Sequence, residues 1–308
     1  MSRRVLIAAP RSFCAGVVRS IEIVEKLLET HGPPVYVRHQ IVHNVHVVRD
    51  LESRGAVFVD SEEDVPEGAL VVLSAHGVSP EVYRKCGERN LKVIDAVCPL
   101  VSKVHAEARR YAARGHTIAL VGHAGHVEVE GTMGEAPDAM VLVETEDDAR
   151  TLELPEGTKL AYLTQTTLSV DDTAGVIDVL RERFPDLAGP PSADICYATQ
   201  NRQDAVKKLC EQATLVLVVG SKTSSNANRL VEVARSRGAV AYLVDDETDL
   251  DPDWLDGHEV VGLTAGASSP DVLVDRVADR LAALGFRERE EVELTREDVY
   301  FRLPAELR

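Results

Sequence analysis

The sequence lacks long apolar stretches and an excess of basic residues. Its longest apolar run near the N-terminus, Val5–Ala9, is far too short for a membrane span or the core of a signal peptide. We therefore expect a cytoplasmic protein without membrane contact, in a compartment where structural disulfides are rare. The chain has 34 Lys and Arg against 51 Asp and Glu, which gives a net charge of −17. This balance argues against non-specific nucleic-acid binding, which needs a basic face.

The short motifs that mark common cofactor and metal sites are missing as well. No Gly-x-Gly-x-x-Gly and no Gly-x4-Gly-Lys-Ser/Thr occurs, so the usual nucleotide-binding fingerprints are absent. The five cysteines include no Cys-x-x-Cys pair, which fits neither a disulfide framework, nor a zinc ribbon, nor a bacterial ferredoxin. With 308 residues, of which 44% are hydrophobic, the chain can still form one large domain or two to three smaller ones.

Short β-like runs alternate with amphipathic helical stretches along most of the chain, which is typical of βα units on parallel sheets. Examples of the predicted strands are Val5–Ala8, Val35–Val37, Val57–Val59, Leu70–Leu73, Ile118–Val121, Leu160–Leu163, Leu215–Val219 and Val260–Leu263. The predicted helices are Val17–Glu29, Ser102–Arg114, Thr173–Arg183, Gln203–Gln212, Asn228–Arg237 and Pro270–Leu284. Near the C-terminus, Val292–Leu294 and Val299–Leu303 are candidates for a closing strand or hairpin.

Three cysteines stand at matching places in three similar stretches of the chain, namely Cys14, Cys98 and Cys196. Polar residues follow them at 29, 28 and 28 residues, and these are His43, His126 and Ser224. A second polar set follows at 62, 68 and 72 residues, and it consists of His76, Thr166 and Ser268.

The offsets predict an α/β fold of three pseudo-three-fold-related modules, with mainly parallel sheets around a central site. The modules are expected at residues 16–97, 98–195 and 196–284, with the N-terminal strand of 1–13 joining the third and 285–308 forming a C-terminal tail. Ligands bind beyond the carboxyl ends of the strands in such sheets. Each module would therefore offer one cysteine and two polar loops to a common centre.

Three cysteine thiolates, which are soft ligands, would suit an iron–sulfur cluster in which one iron lacks a protein thiolate if they meet at one centre. Such an iron could act on a substrate as a Lewis acid or a redox centre. Zinc on three thiolates is the alternative. Cys86 and Cys210 lie inside charged helical stretches and are expected to be structural.

The polar residues around this centre offer many hydrogen-bond donors and few fixed cations, which fits a phosphate or diphosphate. The donors are His43, His76, His126, Ser224, Ser225, Asn226 and Ser268. The run from Ser224 to Asn226 is also expected to cap the helix that follows it. Glu128 is the one carboxylate of the group, and beside Thr166 and Thr167 it could relay protons to a leaving hydroxyl.

Taken together, the motifs resemble the family of 4-hydroxy-3-methylbut-2-enyl diphosphate reductases (the LytB family), the last enzymes of the non-mevalonate isoprenoid pathway. The resemblance runs in order through nearly the whole chain. The segments that carry it are 10–17 (PRSFCAGV), 36–44 (YVRHQIVHN), 74–79 (SAHGVS), 95–101 (DAVCPLV), 122–132 (GHAGHVEVEGT), 164–173 (TQTTLSVDDT), 194–203 (DICYATQNRQ), 220–226 (GSKTSSN) and 264–268 (TAGAS).

The resemblance implies a [4Fe–4S] cluster held by Cys14, Cys98 and Cys196, one per chain, with one iron not ligated by cysteine. It implies a diphosphate pocket lined by His43, His76, His126, Ser224, Ser225, Asn226 and Ser268. It assigns hydroxyl handling and proton relay to Thr166 and Glu128, with His126 beside them. The implied reaction is a two-electron reductive dehydroxylation that yields isopentenyl and dimethylallyl diphosphate.

The resemblance also implies a one-electron donor protein, such as ferredoxin or flavodoxin. Because such donors are usually acidic, we expect a local basic patch that uses Arg11, Arg19 or Arg38. The residue patterns alone are also compatible with two other functions. One is a non-redox [4Fe–4S] enzyme of similar build, such as a quinolinate synthase, and the other is a zinc- or phosphate-binding module.

Overall fold

The computed structural model describes residues 3–308, and the chain is an α/β protein. The strands of this part are β1 (Arg4–Ala9), β2 (Val35–Arg38), β3 (Ala56–Val59), β4 (Leu70–Leu73), β5 (Lys92–Asp95), β6 (Thr117–Val121), β7 (Met140–Val143), β8 (Leu160–Thr164), β9 (Leu215–Val219), β10 (Val240–Val244), β11 (Val260–Ala265) and β12 (Glu288–Glu293). Its α-helices are α1 (Ala15–His31), α2 (Val45–Ser53), α3 (Pro80–Glu88), α4 (Pro99–Ala113), α5 (Val127–Met133), α6 (Glu146–Thr151), α7 (Val170–Arg183), α8 (Tyr197–Leu209), α9 (Ser225–Ser236) and α10 (Asp271–Ala283). Within residues 3–308, no helix combines the length and apolar composition that crossing a bilayer requires.

The eight strands given as examples are all present, and their ends differ from the prediction by at most two residues. The helices that follow the cysteines begin earlier than predicted. Helix α4 begins at Pro99 rather than Ser102, and α8 begins at Tyr197 rather than Gln203. Proline fits the first position of a helix, where its missing N–H costs nothing. Residues 199–204 of α8 (TQNRQD) are all polar, so the first half of this helix offers no apolar periodicity to signal it.

The strands form three sheets, and every strand pair among the described residues is parallel. The strand orders are β10-β9-β11-β1-β12, β3-β2-β4-β5 and β7-β6-β8. The trios β10-β9-β11, β3-β2-β4 and β7-β6-β8 are the same arrangement repeated. The α/β class with mainly parallel sheets is therefore confirmed.

A fourth position lies beside the third strand of each trio. In the first sheet β1 occupies this position next to β11, and in the second sheet β5 occupies it next to β4. In the third sheet a single parallel bridge between Ala161 of β8 and Ala188 stands in its place. In each sheet this fourth segment is the one that leads along the chain to a cysteine.

By its internal contacts the chain divides into two compact units. The first contains residues through Val18, His43–Asp50 and Tyr197–Tyr300, and therefore holds the five-stranded sheet. The second contains Arg19–Val42, Leu51–Cys196 and Phe301–Arg308, and holds the other two sheets. The predicted module boundaries at 16–97, 98–195 and 196–284 remain predictions.

The core of the first unit forms on both faces of its sheet. All five residues of β9 are buried, as expected for a central strand that helices cover on both sides. Leu215, Leu217 and Val219 face the cluster that contains α10 residues, whereas Val216 and Val218 face α9. Successive side chains of β9 thus point to opposite faces of the sheet, as in any strand. Because both faces are covered by helices, all five residues are apolar.

The C-terminal region differs from the expectation. Strand β12 lies at Glu288–Glu293 and pairs in parallel with β1 at the edge of the sheet, and no strand forms at Val299–Leu303. The hairpin alternative is therefore wrong, whereas the alternative of a closing strand is confirmed, with its start at Glu288 rather than Val292. Strand β12 escapes a search for apolar alternation because its side chains are largely exposed and five of its six residues are charged.

Candidate active site

The three cysteines share the same local backbone structure. Cys14, Cys98 and Cys196 directly precede helices α1, α4 and α8, and none of the five cysteines of the chain forms a disulfide. The backbone N–H of each donates to a carbonyl two residues past the end of β11, β4 or β8, respectively. The three bonds are Cys14 to Ala267 at 3.2 Å, Cys98 to Ala75 at 3.0 Å and Cys196 to Thr166 at 3.1 Å. The start of a helix also favours negative charge, so all three positions suit a thiolate.

A second set of equivalent positions lies five residues after the ends of β2, β6 and β9, at His43, His126 and Ser224. Two of them cap helices directly. His126 Nδ1 accepts from the N–H of Glu128 at 3.2 Å, and Ser224 Oγ accepts from the N–H of Ala227 at 3.3 Å. After His43, the capping role passes to Asn44, whose Oδ1 accepts from the N–H groups of the first turn of α2.

The first unit gathers hydroxyl and amide groups at the start of α9. Ser268 Oγ donates to the carbonyl of His43 at 3.0 Å and lies 3.4 Å from Ser224 Oγ. Asn226 Oδ1 accepts from the N–H of Ala267, whose carbonyl holds the N–H of Cys14. Ser225 is the first residue of the helix. The predicted polar residues of this unit therefore lie together, next to backbone N–H groups suited to an anion.

The second unit brings two histidines together. The rings of His76 and His126 meet edge to face with their centroids 6.2 Å apart, and His76 Nδ1 lies 3.3 Å from Ser74 Oγ. Burial, with a smaller contribution from His123, lowers the pKa of His126 to about 4. The ring is therefore neutral at pH 7. Because its Nδ1 accepts a hydrogen bond, the ring proton is assigned to Nε2, which becomes a donor.

Glu128 and Thr166 form a buried pair in the same unit. The backbone N–H of Thr166 donates to Glu128 Oε1 at 2.6 Å, and its hydroxyl donates to Oε2 at 3.1 Å. Burial raises the pKa of Glu128 to about 7, although the bonds from Thr166 oppose the rise, and the charge of Asp194 adds to it. A carboxyl with this pKa can give up and regain a proton near neutral pH.

The predicted site residues thus fall into two groups, each gathered within its own unit. The first unit holds Cys14, His43, Ser224, Ser225, Asn226 and Ser268, and the second holds Cys98, Cys196, His76, His126, Glu128 and Thr166. Their roles toward a cofactor or substrate remain predictions.

Three further residues of these loops make structural contacts that the sequence pattern does not indicate. Asn44 caps α2, and Gln165 accepts from the N–H of His123 while donating to Thr167 Oγ1. Asp194 is buried, its Oδ2 accepts from the N–H of Thr164, and burial raises its pKa to about 6 against the lowering effect of Lys103. The only signal in the sequence was their position within polar motifs at strand ends.

The three arginines named for a basic docking patch all have partners within the protein. The side chain of Arg11 pairs with Asp271 and Glu291, and that of Arg38 pairs with Glu62. Arg19 is 9% exposed and donates to backbone carbonyls. Burial excludes Arg19 from an exposed docking patch, whereas a patch that uses Arg11 or Arg38 stays a prediction.

Comparison with known proteins gives one consistent result. The family model described as LytB protein matches residues 5–282. A 4-hydroxy-3-methylbut-2-enyl diphosphate reductase of Acidothermus cellulolyticus is 57% identical over 99% of this chain and 90% of its own length. A protein of the same name from Tropheryma whipplei is 54% identical and covers 100% of this chain and 99% of its own length.

Solved structures agree with the sequence relatives. The E-1-hydroxy-2-methyl-but-2-enyl-4-diphosphate reductase of Plasmodium falciparum superposes with a TM-score of 0.97 at 40% identity, covering 100% of this chain and 97% of that chain. A second structure, described as (E)-4-hydroxy-3-methyl-but-2-enyl diphosphate reductase, has a TM-score of 0.64 at 31% identity, with 91% and 99% covered.

Proposed function

Because the chain belongs to the LytB protein family, we propose that it reduces 4-hydroxy-3-methylbut-2-enyl diphosphate to isopentenyl and dimethylallyl diphosphate, the last step of the non-mevalonate isoprenoid pathway. The observation that carries the proposal is the similarity to proteins named for this reaction, which spans practically the whole chain. In the reaction the substrate takes up two electrons and two protons. The C–O bond breaks, one proton leaves in water, and the other joins an allylic carbon.

The chemistry of the donor set fits an iron–sulfur cluster. Cys14, Cys98 and Cys196 share one local frame, in which a strand-end carbonyl holds the cysteine N–H and a helix begins at the next residue. Thiolates are the ligands that iron–sulfur clusters take. We assign these three residues as ligands of one [4Fe–4S] cluster with an iron not ligated by cysteine. When bound, this cluster would supply electrons one at a time together with a Lewis-acidic iron.

The diphosphate would be bound mainly by neutral donors. Ser224, Ser225, Asn226 and Ser268 present hydroxyl and amide groups at the N-terminus of α9, where the helix dipole favours an anion. His43 and His76 complete the set, with His126 as a neutral ring that donates through Nε2. Binding the non-reacting diphosphate positions the hydroxyl-bearing end of the substrate, so that remote binding energy serves the reaction.

Glu128 would supply protons to the reaction through Thr166. With a pKa of about 7, Glu128 is protonated in a substantial fraction of molecules at neutral pH. The hydroxyl of Thr166 both accepts and donates hydrogen bonds, so it can pass a proton from the Glu128 carboxyl toward a substrate hydroxyl. The buried position excludes bulk water from this transfer.

Two electrons per turnover must come from outside the chain. We assign a one-electron donor protein, a ferredoxin or a flavodoxin, to this role. The absence of nucleic-acid and membrane partners that the sequence leads us to expect remains a prediction. The cytoplasmic location inferred from the sequence remains a prediction.

The test is anaerobic purification followed by iron, sulfide and zinc analysis, electron paramagnetic resonance, and turnover with a chemical one-electron donor. We expect a brown protein containing iron and sulfide that converts the hydroxylated diphosphate into two isomeric products. A colourless zinc protein without sulfide would overturn the cluster assignment. Iron–sulfur protein that binds the substrate without reducing it would overturn the reaction.

A further inference from the structure

Three cations occupy matching places after the three cysteines. Arg19 and Lys103 are the fifth residues of α1 and α4, and Arg202 is the sixth residue of α8. Each therefore lies in the second turn of the helix that begins directly after a cysteine. Each donates to carbonyls of a segment that leads into another cysteine. Arg19 also donates to the carbonyl of Arg302, and Arg202 also donates to that of Ala198 in its own helix.

Lys103 lies in the second unit, as do its partners. Its ammonium donates to the carbonyls of Ser192 and Ala193 at 2.9 and 3.0 Å and to Asp194 Oδ1 at 3.1 Å. The other oxygen of Asp194 accepts from the N–H of Thr164 at 3.1 Å. One lysine thus joins the helix that follows Cys98 to the segment that precedes Cys196.

Arg202 makes the same kind of connection within the first unit. Its guanidinium is fully buried and donates to the carbonyl of Ser12 at 2.7 and 3.2 Å and to that of Arg11 at 3.3 Å. Glu297 balances its charge with bonds of 2.9 to 3.3 Å. Ser12 has a φ of +58°, a conformation that ordinary residues avoid, so these bonds hold a strained loop directly before Cys14.

Arg19 completes the set within the second unit. Its side chain is buried and donates to the carbonyls of Val97 at 3.0 Å and Asp95 at 3.3 Å, just before Cys98. The neighbouring Ser20 hydroxyl donates to the carbonyl of Ala96 at 2.9 Å. Every carbonyl of the segment 95–97 is therefore held by α1.

We propose that Lys103, Arg19 and Arg202 are positioning residues for the three cysteine ligands, each fixing the loop that leads to one of them. The inference rests on the proposed function, because the cysteines are ligands only if the cluster is bound. A cation suits this task because one group can donate to several carbonyls at once, and charge-assisted bonds are stronger than neutral ones. Groups that orient ligands in this way typically change metal affinity about 10–100-fold when they are removed.

The test compares Lys103→Met, which keeps the apolar stem, with Lys103→Arg, which keeps the cation. The control is Lys208→Met, which removes an exposed lysine paired with Glu211 on α8. After anaerobic reconstitution, each protein is exposed to a chelator, and the loss of cluster absorbance and iron is followed over time. We expect Lys103→Met to lose iron at least about tenfold faster than wild type, with Lys103→Arg intermediate and Lys208→Met unchanged.

A second measurement uses the protein before reconstitution and so does not depend on the cluster. The alkylation rate of Cys196 is compared with that of Cys210 in the same molecule by mass spectrometry. We expect Lys103→Met to speed alkylation of Cys196 several-fold while Cys210 is unchanged, because the loop before Cys196 is released. Arg202→Met should act in the same way on Cys14.

The outcomes separate the two ideas. If wild-type protein takes up no iron and sulfide, the proposed function fails, and the alkylation rates still test the loops. If the wild-type cluster forms but Lys103→Met loses iron and alkylates Cys196 at wild-type rates, the positioning role is wrong. A merely structural role would lower the melting temperature and speed alkylation of Cys196 and Cys210 alike, which would also contradict the proposal.

Discussion

Thr166 donates two hydrogen bonds to Glu128, from its backbone N–H at 2.6 Å and from its hydroxyl at 3.1 Å. Its carbonyl accepts from the N–H of Cys196 at 3.1 Å. One residue therefore connects the proposed proton donor with a proposed cluster ligand. Glu128 is 3% exposed, and both of the hydrogen bonds described for its carboxylate come from Thr166.

The first prediction concerns the carboxyl of Glu128. Glu128→Gln keeps an oxygen that accepts from the N–H of Thr166 but removes the acid, so turnover should fall at least about a hundredfold. Iron content and substrate affinity should stay near wild type. The control is Glu130→Gln on the same helix, where the side chain is exposed. Turnover within a few-fold of wild type in Glu128→Gln would rule out the proton role.

The second prediction is the pH dependence of turnover. If the neutral carboxyl of Glu128 is the active form, the rate should fall as the pH rises through about 7, where the pKa of this group lies. Well above that pH the fall should approach about tenfold per pH unit. Glu128→Gln should lose this limb of the profile. A wild-type rate that is flat between pH 6 and 9 would contradict the assignment.

The same pKa has a consequence for stability. The pKa of Glu128 rises from 4.5 to about 7 on folding, so the folded state favours the neutral form. Its stabilising contribution is complete below pH 4.5 and is lost as the pH rises through about 7. In thermal melting of the cluster-free protein, the melting temperature of Glu128→Gln relative to that of wild type should therefore increase as the pH rises across this range.

The sequence predicted the parts of the fold that depend on local patterns. The run Leu215–Val219 is apolar throughout and was recognised as a strand, whereas β5 at Lys92–Asp95 was not, since its ends are charged and exposed. Strand β12 was misplaced for the same reason. Edge strands owe their existence to pairing with a neighbour, here β1, and a local pattern does not contain that neighbour.

The candidate site shows the same limit. The offsets from the cysteines identified Ser224 and Ser268, whose hydroxyl oxygens lie 3.4 Å apart in the structure. They did not identify Arg202, whose contacts with Ser12 span nearly two hundred residues of chain. From the sequence alone, a buried arginine or lysine cannot be distinguished from an exposed one, because burial depends on tertiary packing. The repeat in the sequence predicts where these residues lie, but the hydrogen bonds that hold them depend on the tertiary structure.

The third prediction tests the anion site at the start of α9. Ser224→Ala removes a proposed diphosphate donor and also the cap on Ala227, which costs about 0.5–2 kcal/mol of stability. Thr145→Ala is the matched control, because Thr145 caps α6 with a similar bond to Asp148 and belongs to no site loop. Both should lower the free energy of unfolding by similar amounts. Only Ser224→Ala should raise KM, by about tenfold, with a smaller change in kcat. Equal KM values in the two variants would exclude Ser224 from the pocket.

The fourth prediction concerns the loop that carries His76. Gly77 has a φ of +81°, and an added Cβ would lie 2.8 Å from Cε1 of His105. That ring is buried and held by Glu135 at 2.8 Å, so it has little freedom to move away. Gly157 is the control, with a φ of +79° and no atom within 4 Å of an added Cβ.

Because both glycines have nearly the same φ, Gly77→Ala and Gly157→Ala should incur the same backbone strain of about 1–2 kcal/mol. Gly77→Ala also introduces the clash with His105, so urea unfolding should show a larger decrease in the free energy of unfolding for Gly77→Ala than for Gly157→Ala. The loop would also shift next to His76, and KM should rise in Gly77→Ala alone. Equal losses of stability together with an unchanged KM would mean that the loop yields to the added methyl group, and that the ring of His105 does not fix the position of His76.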